Sequence, residues 1–400
     1  YTQAFLGVVL VIAFLLVLLA DKFLKTYDVH TPEVFALMLF SLAGSVAMLG
    51  FGNLAMLFLG VELLSIPMYI LAGSDKRNLL SNEASLKYFL MGAFASAFLL
   101  FGIALIYGAS GTFDLAELGQ YVQANTTSLP AMFLAGIVLI IIAFGFKVSA
   151  APFHFWAPDV YDGAPTIVTM FMATIVKIAA FGTFLKLFMT AFAPIAGSYS
   201  LVLAALSAMT MTIGNLSAIF QNSFKRMMAY SGVAHAGYLL LGLLVATKAA
   251  SSAVLFYGLS YGVATVAAFA VLLLVFYKTD SEDTDAFKGL ATKNPLLAIA
   301  ATISMLSLAG IPPTAGFFGK YYLFSLTINS GYTWLAVIGI LNSLISVYYY
   351  LRVVIFMYTG QPKDDKALEI PVLYSLVIGI CTLLAIVFGL APSLLMDVLG

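Results

Sequence analysis

Charge is what this chain lacks most. Asp, Glu, Lys and Arg make up 9% of its 400 residues and cancel to a formal net charge of zero, where a soluble domain carries roughly a quarter charged residues. So sparse and balanced a set excludes a nucleic-acid-binding surface. Cysteine is almost as scarce. Cys381 stands alone in an apolar run, so neither a disulfide framework nor a cysteine-held iron–sulfur cluster is available. No glycine-rich dinucleotide fingerprint and no phosphate loop occur, which leaves no visible nucleotide site. His154 and His235 have no second ligand at metal spacing, so no metal is predicted. Redox chemistry and ATP hydrolysis by this chain alone have no residues to rest on.

What is abundant is apolar. Hydrophobic residues reach 62% and the mean hydropathy is +1.06, which predicts an all-α polytopic membrane protein. A spanning helix needs ~20 mainly apolar residues. Twelve stretches qualify, near 3–20, 33–50, 54–72, 85–108, 130–160, 164–189, 200–220, 230–247, 251–277, 295–328, 333–358 and 371–396. With that count, Lys22, Lys25, Lys76, Arg77, Lys225, Arg226, Lys278, Lys288, Lys293, Lys363 and Lys366 all fall in alternate loops on one side, and only Lys248 on the other. By the positive-inside rule the first side is cytoplasmic, which predicts both termini on the outer side. The start at Tyr1, directly in an apolar run, is open to a cleaved signal or to a missing first segment.

Six basic residues remain inside spans: Lys87, Lys147, Lys177, Lys186, Lys320 and Arg352. Lys186 and Arg352 lie near span ends, where long side chains reach the interface. Lys87 is one turn inside. Glu62 is the one deep acid, so the deep set is Glu62, Lys147, Lys177 and Lys320. A charge at bilayer depth costs at least ~2.5 kcal/mol, which makes each a functional candidate. Three bases with one acid do not make a cation filter, which uses carboxylates or carbonyls.

Two spans are too long for one crossing and contain proline. Residues 130–160 break near Ala151-Pro152, just after Lys147, and residues 295–328 break near Gly310-Ile-Pro-Pro-Thr-Ala-Gly316, just before Lys320. Interrupted helices at matching places in two halves suggest an internal repeat with its site at mid-membrane. An amine in low dielectric holds its proton less firmly, and a nearby carboxylate restores the grip. A row of such groups with water between them relays protons. Glu62 with one lysine also reads as a static buried pair, and His235 as either a packing histidine or a relay between Lys177 and Lys320. His154, beside the break, reads as capping or packing. Loop 109–129 and the acidic start of loop 278–294 read as solvated connections, and the Met, Phe and Tyr content as lipid-facing or packing surface.

The run Lys147-Val-Ser-Ala-Ala-Pro-Phe-His-Phe-Trp-Ala-Pro-Asp-Val-Tyr-Asp-Gly-Ala-Pro165 strongly resembles the broken-helix signature of the antiporter-like subunits of respiratory complex I. Val61-Glu-Leu-Leu-Ser-Ile-Pro67, Glu83-Ala-Ser-Leu-Lys-Tyr-Phe89, Tyr230-Ser-Gly-Val-Ala-His-Ala-Gly-Tyr238 and Ser307–Lys320 support it, so the resemblance covers nearly the whole chain. It implies two inverted five-helix repeats, read as 33–190 and 198–360, with an N-terminal span and loop in 1–32 and a C-terminal span in 361–400. The family has about fourteen helices, so its first two, which lie outside the repeats, are expected to be missing from this stretch.

The resemblance also implies roles. Glu62 looks like the acid that modulates the pumping lysine Lys147, Lys177 like the connecting lysine, and Lys320 like the second-half residue on the exit side. Lys87 resembles a further lysine of the polar axis and His235 its central histidine. A lysine at 320 departs from subunit M, which typically has glutamate there. The implied function is proton translocation within NADH-quinone oxidoreductase, driven by quinone reduction elsewhere, as a non-redox subunit of that translocase. No cofactor is expected in this chain; FMN, iron–sulfur clusters and quinone belong to other parts of the complex. Implied partners are other membrane-arm subunits, such as the antiporter-like M and the small K and J, and the lipid bilayer. The alternatives are a subunit of a multi-subunit sodium/proton antiporter and a structural membrane-arm subunit with static ion pairs.

Overall fold

A computed structural model describes residues 2–24, 31–361 and 367–399, without the side chains of 21–24, 398 and 399. Of the orientation-setting lysines, Lys25, Lys363 and Lys366 lie outside the described residues, as does the side chain of Lys22. The helices are α1 (Thr2–Leu24), α2 (Thr31–Gly50), α3 (Leu54–Ala72), α4 (Leu79–Ser110), α5 (Leu115–Ala124), α6 (Ala131–Lys147), α7 (Trp156–Gly163), α8 (Thr166–Phe171), α9 (Lys177–Leu187), α10 (Ala196–Ile219), α11 (Phe224–Val245), α12 (Lys248–Thr279), α13 (Leu290–Lys293), α14 (Pro295–Ala309), α15 (Ala315–Asn329), α16 (Thr333–Thr359), α17 (Val372–Leu390) and α18 (Ser393–Leu399).

Among the described residues, nine continuous helical stretches are long and apolar enough to cross a membrane. One of them, Thr166–Ile219, is too long for a single crossing and is interrupted at Ala193-Pro194-Ile195, so it counts as two. The broken pairs α6–α7 and α14–α15 add two more. Twelve crossings result among the described residues, and the chain is a multi-pass helical membrane protein.

The five crossings from α2 to α9 and the five from α10 to α16 are built alike and run in opposite senses. Asn53 caps α3, its side chain accepting from the Met56 N–H at 2.7 Å, and Ser223 caps α11, accepting from the Arg226 N–H at 3.3 Å. Each cap also forms an isolated antiparallel bridge, Asn53 with Asp114 and Ser223 with Asp283. The Leu54 N–H donates to the Phe113 carbonyl at 2.9 Å, and the Phe224 N–H to the Glu282 carbonyl at 2.9 Å. Counting 170 positions on from Gly44 gives Gly214, and the two make the same close approach. A Cβ at Gly44 would fall 2.2 Å from the Leu64 nitrogen, and one at Gly214 2.5 Å from the Ala234 nitrogen. Backbone that near admits only glycine.

The two breaks lie in the fourth crossing of each half. α6 stops at Lys147, Ser149 turns left-handed at φ 61°, and Ala151-Pro152 is cis. The freed groups are taken up again at membrane depth, as they must be. The Trp156 Nε1–H donates to the Phe146 carbonyl at 3.1 Å, and the Ala151 N–H to Thr210 Oγ1 at 2.9 Å. α14 stops at Gly310, with φ 81°, and Pro312-Pro313 is also cis. There the Gly316 N–H donates to Ser307 Oγ at 3.2 Å.

Two stretches differ from solvated connections. Residues 115–124 form an amphipathic helix, α5, which Asp114 caps and which buries Leu115, Leu118 and Val122. In the acidic stretch, Glu282 pairs with Lys225 at 2.7 Å and accepts from Thr166. Lys225, read as a loop residue, is in the first turn of α11 and almost fully buried. A buried cation needs a partner, and the nearest acid supplies it.

Candidate functional site

The deep charges collect at the two breaks and between them. Lys147, the last residue of α6, is 6% exposed and donates to Ser65 Oγ, which in turn donates to the Val61 carbonyl. Glu62, one turn before Ser65 on α3, accepts from Ser96 Oγ of α4. Among the described residues the acid and the lysine form no direct ion pair; each meets its own serine, Ser96 for Glu62 and Ser65 for Lys147. Ser65, Ser96, Tyr69 and Lys147 line a cavity of about 20 Å³, the room of about one water molecule.

Lys177 follows a π-helical turn, Met172–Val176, and opens α9. Such turns widen a helix and often mark functional positions. Its amine is buried and has no hydrogen-bond partner, lying 5.8 Å from the centre of the Tyr161 ring. Burying an amine without a partner is costly.

His235 sits in α11 within a ring of tyrosines. Its Nδ1 is 2.5 Å from the Tyr257 hydroxyl and its Nε2 3.0 Å from the Tyr350 hydroxyl, which also bonds Ser231. Tyr261 packs on the imidazole with centroids 4.7 Å apart. Behind this cage the Asn215 amide donates to the Tyr238 hydroxyl at 3.1 Å, and Tyr349 donates to Asn215 Oδ1 at 3.0 Å. These tyrosines are buried and ring-packed, which fits the packing rather than the lipid-facing reading, and their hydroxyls make hydrogen bonds besides. Nothing in the sequence separates them from packing aromatics except that they fall within reach of His235 and Asn215.

Lys320 stands in the second turn of α15 and reaches back across the break. It donates to the carbonyls of Leu308 and Ala309 at 3.1 and 2.8 Å and to Ser343 Oγ at 2.9 Å. The last carbonyls of α14 have no helical partner and sit at the negative end of its dipole, which is where an ammonium is held best. The amine also lies 4.9 Å from the centre of the Tyr238 ring, linking it to the cage. On its other side a cavity of about 570 Å³ runs past Ser325 to Asn329, the end of α15.

Lys87 stands apart from this row. It is half exposed and paired with Glu83 at 2.6 Å and Asp159 at 2.7 Å; Asp159 also binds Arg226 at 2.9 Å. Asp162, which accepts from Ser223 at 2.5 Å, completes an ionic strip that joins α4 and α7 of one half to α11 of the other. His154 lies against Phe155 with its Nδ1 unpartnered. Lys186 and Arg352, read as reaching for the interface, cap helix ends. Lys186 donates to the Leu49 and Phe51 carbonyls at 3.3 and 2.6 Å. Arg352 donates to the Ile219 carbonyl at 3.1 Å and to that of Gln221.

Residues 52–346 match the family described as NADH:quinone oxidoreductase/Mrp antiporter, transmembrane. The chain belongs to that family. It is 43% identical to NADH-quinone oxidoreductase subunit N of Cytophaga hutchinsonii over 398 residues, covering 100% of this chain and 86% of the relative. Subunit N of Trichlorobacter lovleyi is 44% identical over 392 residues, with 97% and 80% covered. Among solved structures, respiratory complex I from Thermus thermophilus with bound aureothin contains a chain that superposes with a TM-score of 0.86 at 35% identity, covering 100% of this chain and 86% of its own. The Mrp complex of Dietzia shares the fold alone, at TM-score 0.87 and 22% identity, with 99% and 82% covered.

Proposed function

We propose that this chain is a proton-translocating membrane-arm subunit of NADH-quinone oxidoreductase, moving protons along Glu62, Lys147, Lys177, His235 and Lys320. The observation that carries this reading is the placement of three buried amines, at 147, 177 and 320, with the caged His235 in the second repeat among them. Burial on this scale is too costly to be kept without use. Glu62 biases the proton on Lys147 through Ser96, Ser65 and the one-water cavity. Lys177 connects the halves, and Lys320 passes protons towards the cavity that ends at Asn329. Lys87, held in the ionic strip, is taken as a further lysine of the polar axis.

In this reading the repeats occupy 33–190 and 198–360, flanked by an N-terminal span and loop in 1–32 and a C-terminal span in 361–400. The chain is a non-redox part of the translocase, in a bacterial inner membrane with both termini outside. It works beside the antiporter-like subunit M and small subunits such as K and J, while FMN, iron–sulfur clusters and quinone act in other parts of the complex. The subunit N relatives favour this over a sodium/proton antiporter.

The test is Lys147→Ala in the assembled complex, with protons pumped per quinone reduced as the readout. Pumping is expected to be lost while the complex still assembles. Normal pumping with normal assembly would remove Lys147 from the path. Purification with flavin and iron–sulfur subunits separates the oxidoreductase from an antiporter.

A further inference from the structure

We propose that Gly232 is a positioning residue whose missing side chain sets where the Lys177 amine stands. Gly232 lies inside α11 with ordinary helical backbone, so its conformation does not require glycine. Space does. A Cβ there would fall 2.6 Å from Lys177 Nζ and 3.2 Å from the Tyr261 hydroxyl. Register gives the vacancy a meaning. Counted from the caps Asn53 and Ser223, Gly232 occupies in the second repeat the place that Glu62 holds in the first. Where one half carries a carboxylate, the other is bare and receives an amine from the first half's fifth crossing. Ser65 and His235 correspond in the same way, so the residue that contacts Lys147 in one half becomes the caged histidine in the other.

This inference rests on the proton-transfer reading above and adds to it a residue that itself carries no proton. The displaced atom would be the free end of a flexible side chain, so Gly232→Ala is expected to move the amine and leave α11 packed. In the assembled complex the expected result is parent-level assembly with about a tenfold or greater fall in protons pumped per quinone reduced, since small misplacements of a transfer group are costly. Its pH profile should move to that of Lys177→Ala. The double variant should be close to Lys177→Ala alone, because the alanine is then left with only the milder 3.2 Å approach to the Tyr261 hydroxyl. Gly258→Ala on α12, whose Cβ would meet Ile178 at an ordinary 3.7 Å, should pump like the parent.

Full pumping or an unchanged pH profile in Gly232→Ala, with Lys177→Ala impaired, overturns the role of Gly232 and leaves the proposed function standing. Full pumping in Lys177→Ala overturns both. If Gly232→Ala does not assemble, the double variant decides. Assembly recovered on removing the lysine supports the contact, and continued failure overturns it.

Discussion

Lys186 and Arg352 make the same contact at opposite ends of the molecule. Each projects from the fifth crossing of its repeat onto the last carbonyls of that repeat's first helix, Leu49 and Phe51 in one case, Ile219 and Gln221 in the other. Because the repeats are inverted, one clamp lies towards each face. Removing such a donor leaves part-buried carbonyls unpaired, at up to about 1–3 kcal/mol each. Lys186→Met and Arg352→Met are therefore expected to lower the thermal stability of the purified complex while protons pumped per quinone hold steady. A changed pumping ratio at unchanged stability would place these residues in the path instead.

The glycine contacts predict a matched pair of failures. Gly44→Ala and Gly214→Ala each drive a Cβ into the backbone of the next helix, an overpacking that costs about 1–3 kcal/mol and sometimes more. Both should reduce assembly to a similar degree. Gly7→Ala, with open space around it, should leave assembly unchanged, as immunoblots of membranes would register.

At the first break, Ser65→Ala takes away the Lys147 acceptor without touching the lysine. The orphaned amine costs about 1–3 kcal/mol, and pumping is expected to fall but persist, with Ser65→Thr closer to the parent. Proton flux in reconstituted vesicles decides. Parent-like flux in Ser65→Ala would mean that the Ser65 contact of Lys147 is idle.

Tyr257→Phe and Tyr350→Phe each strip one nitrogen of His235 of its partner. If both links carry protons, each change should slow pumping by about 10²-fold, the lower end for loss of an acid–base group. Tyr374→Phe, whose hydroxyl donates to the Leu19 carbonyl at 2.9 Å far from the cage, should pump normally in the same assay.

Lys225 tests a different energy. Its side chain is 4% exposed and Glu282 is its acid partner. Leaving one member of a buried pair alone costs about 3–5 kcal/mol, so Lys225→Met should fail to assemble. Adding Glu282→Gln should restore part of the loss, measured as subunit retained in the purified complex.

Much of the frame was legible in the sequence because apolar run length and proline act locally. The twelve crossings, the breaks before Pro152 and Pro312 and the four deep charges all follow from composition within short windows. The matching breaks suggested a repeat, but its residue-by-residue register was hidden for a physical reason. Its contacts are made by backbone and by whichever side chain suffices, so Asn53 answers to Ser223, Lys186 to Arg352 and Glu62 to Gly232, with no shared identity to detect. The tyrosine cage was hidden because a buried phenol and a packing phenol have the same spacing on a helix; only the position of His235 in space separates them. Lys225 and Glu282, far apart in sequence, could not be paired before the fold was known.

The two phenols on His235 also limit how the ring works. Imidazole passes a proton by taking it on one nitrogen and releasing it from the other, which leaves the ring as the opposite tautomer. With both nitrogens already engaged by hydroxyls, the ring cannot repeat the step until those bonds reverse their sense. On the proposed path the cage would act as a turnstile with a built-in dead time, admitting one proton and refusing the next until the Tyr257 and Tyr350 hydroxyls have turned back.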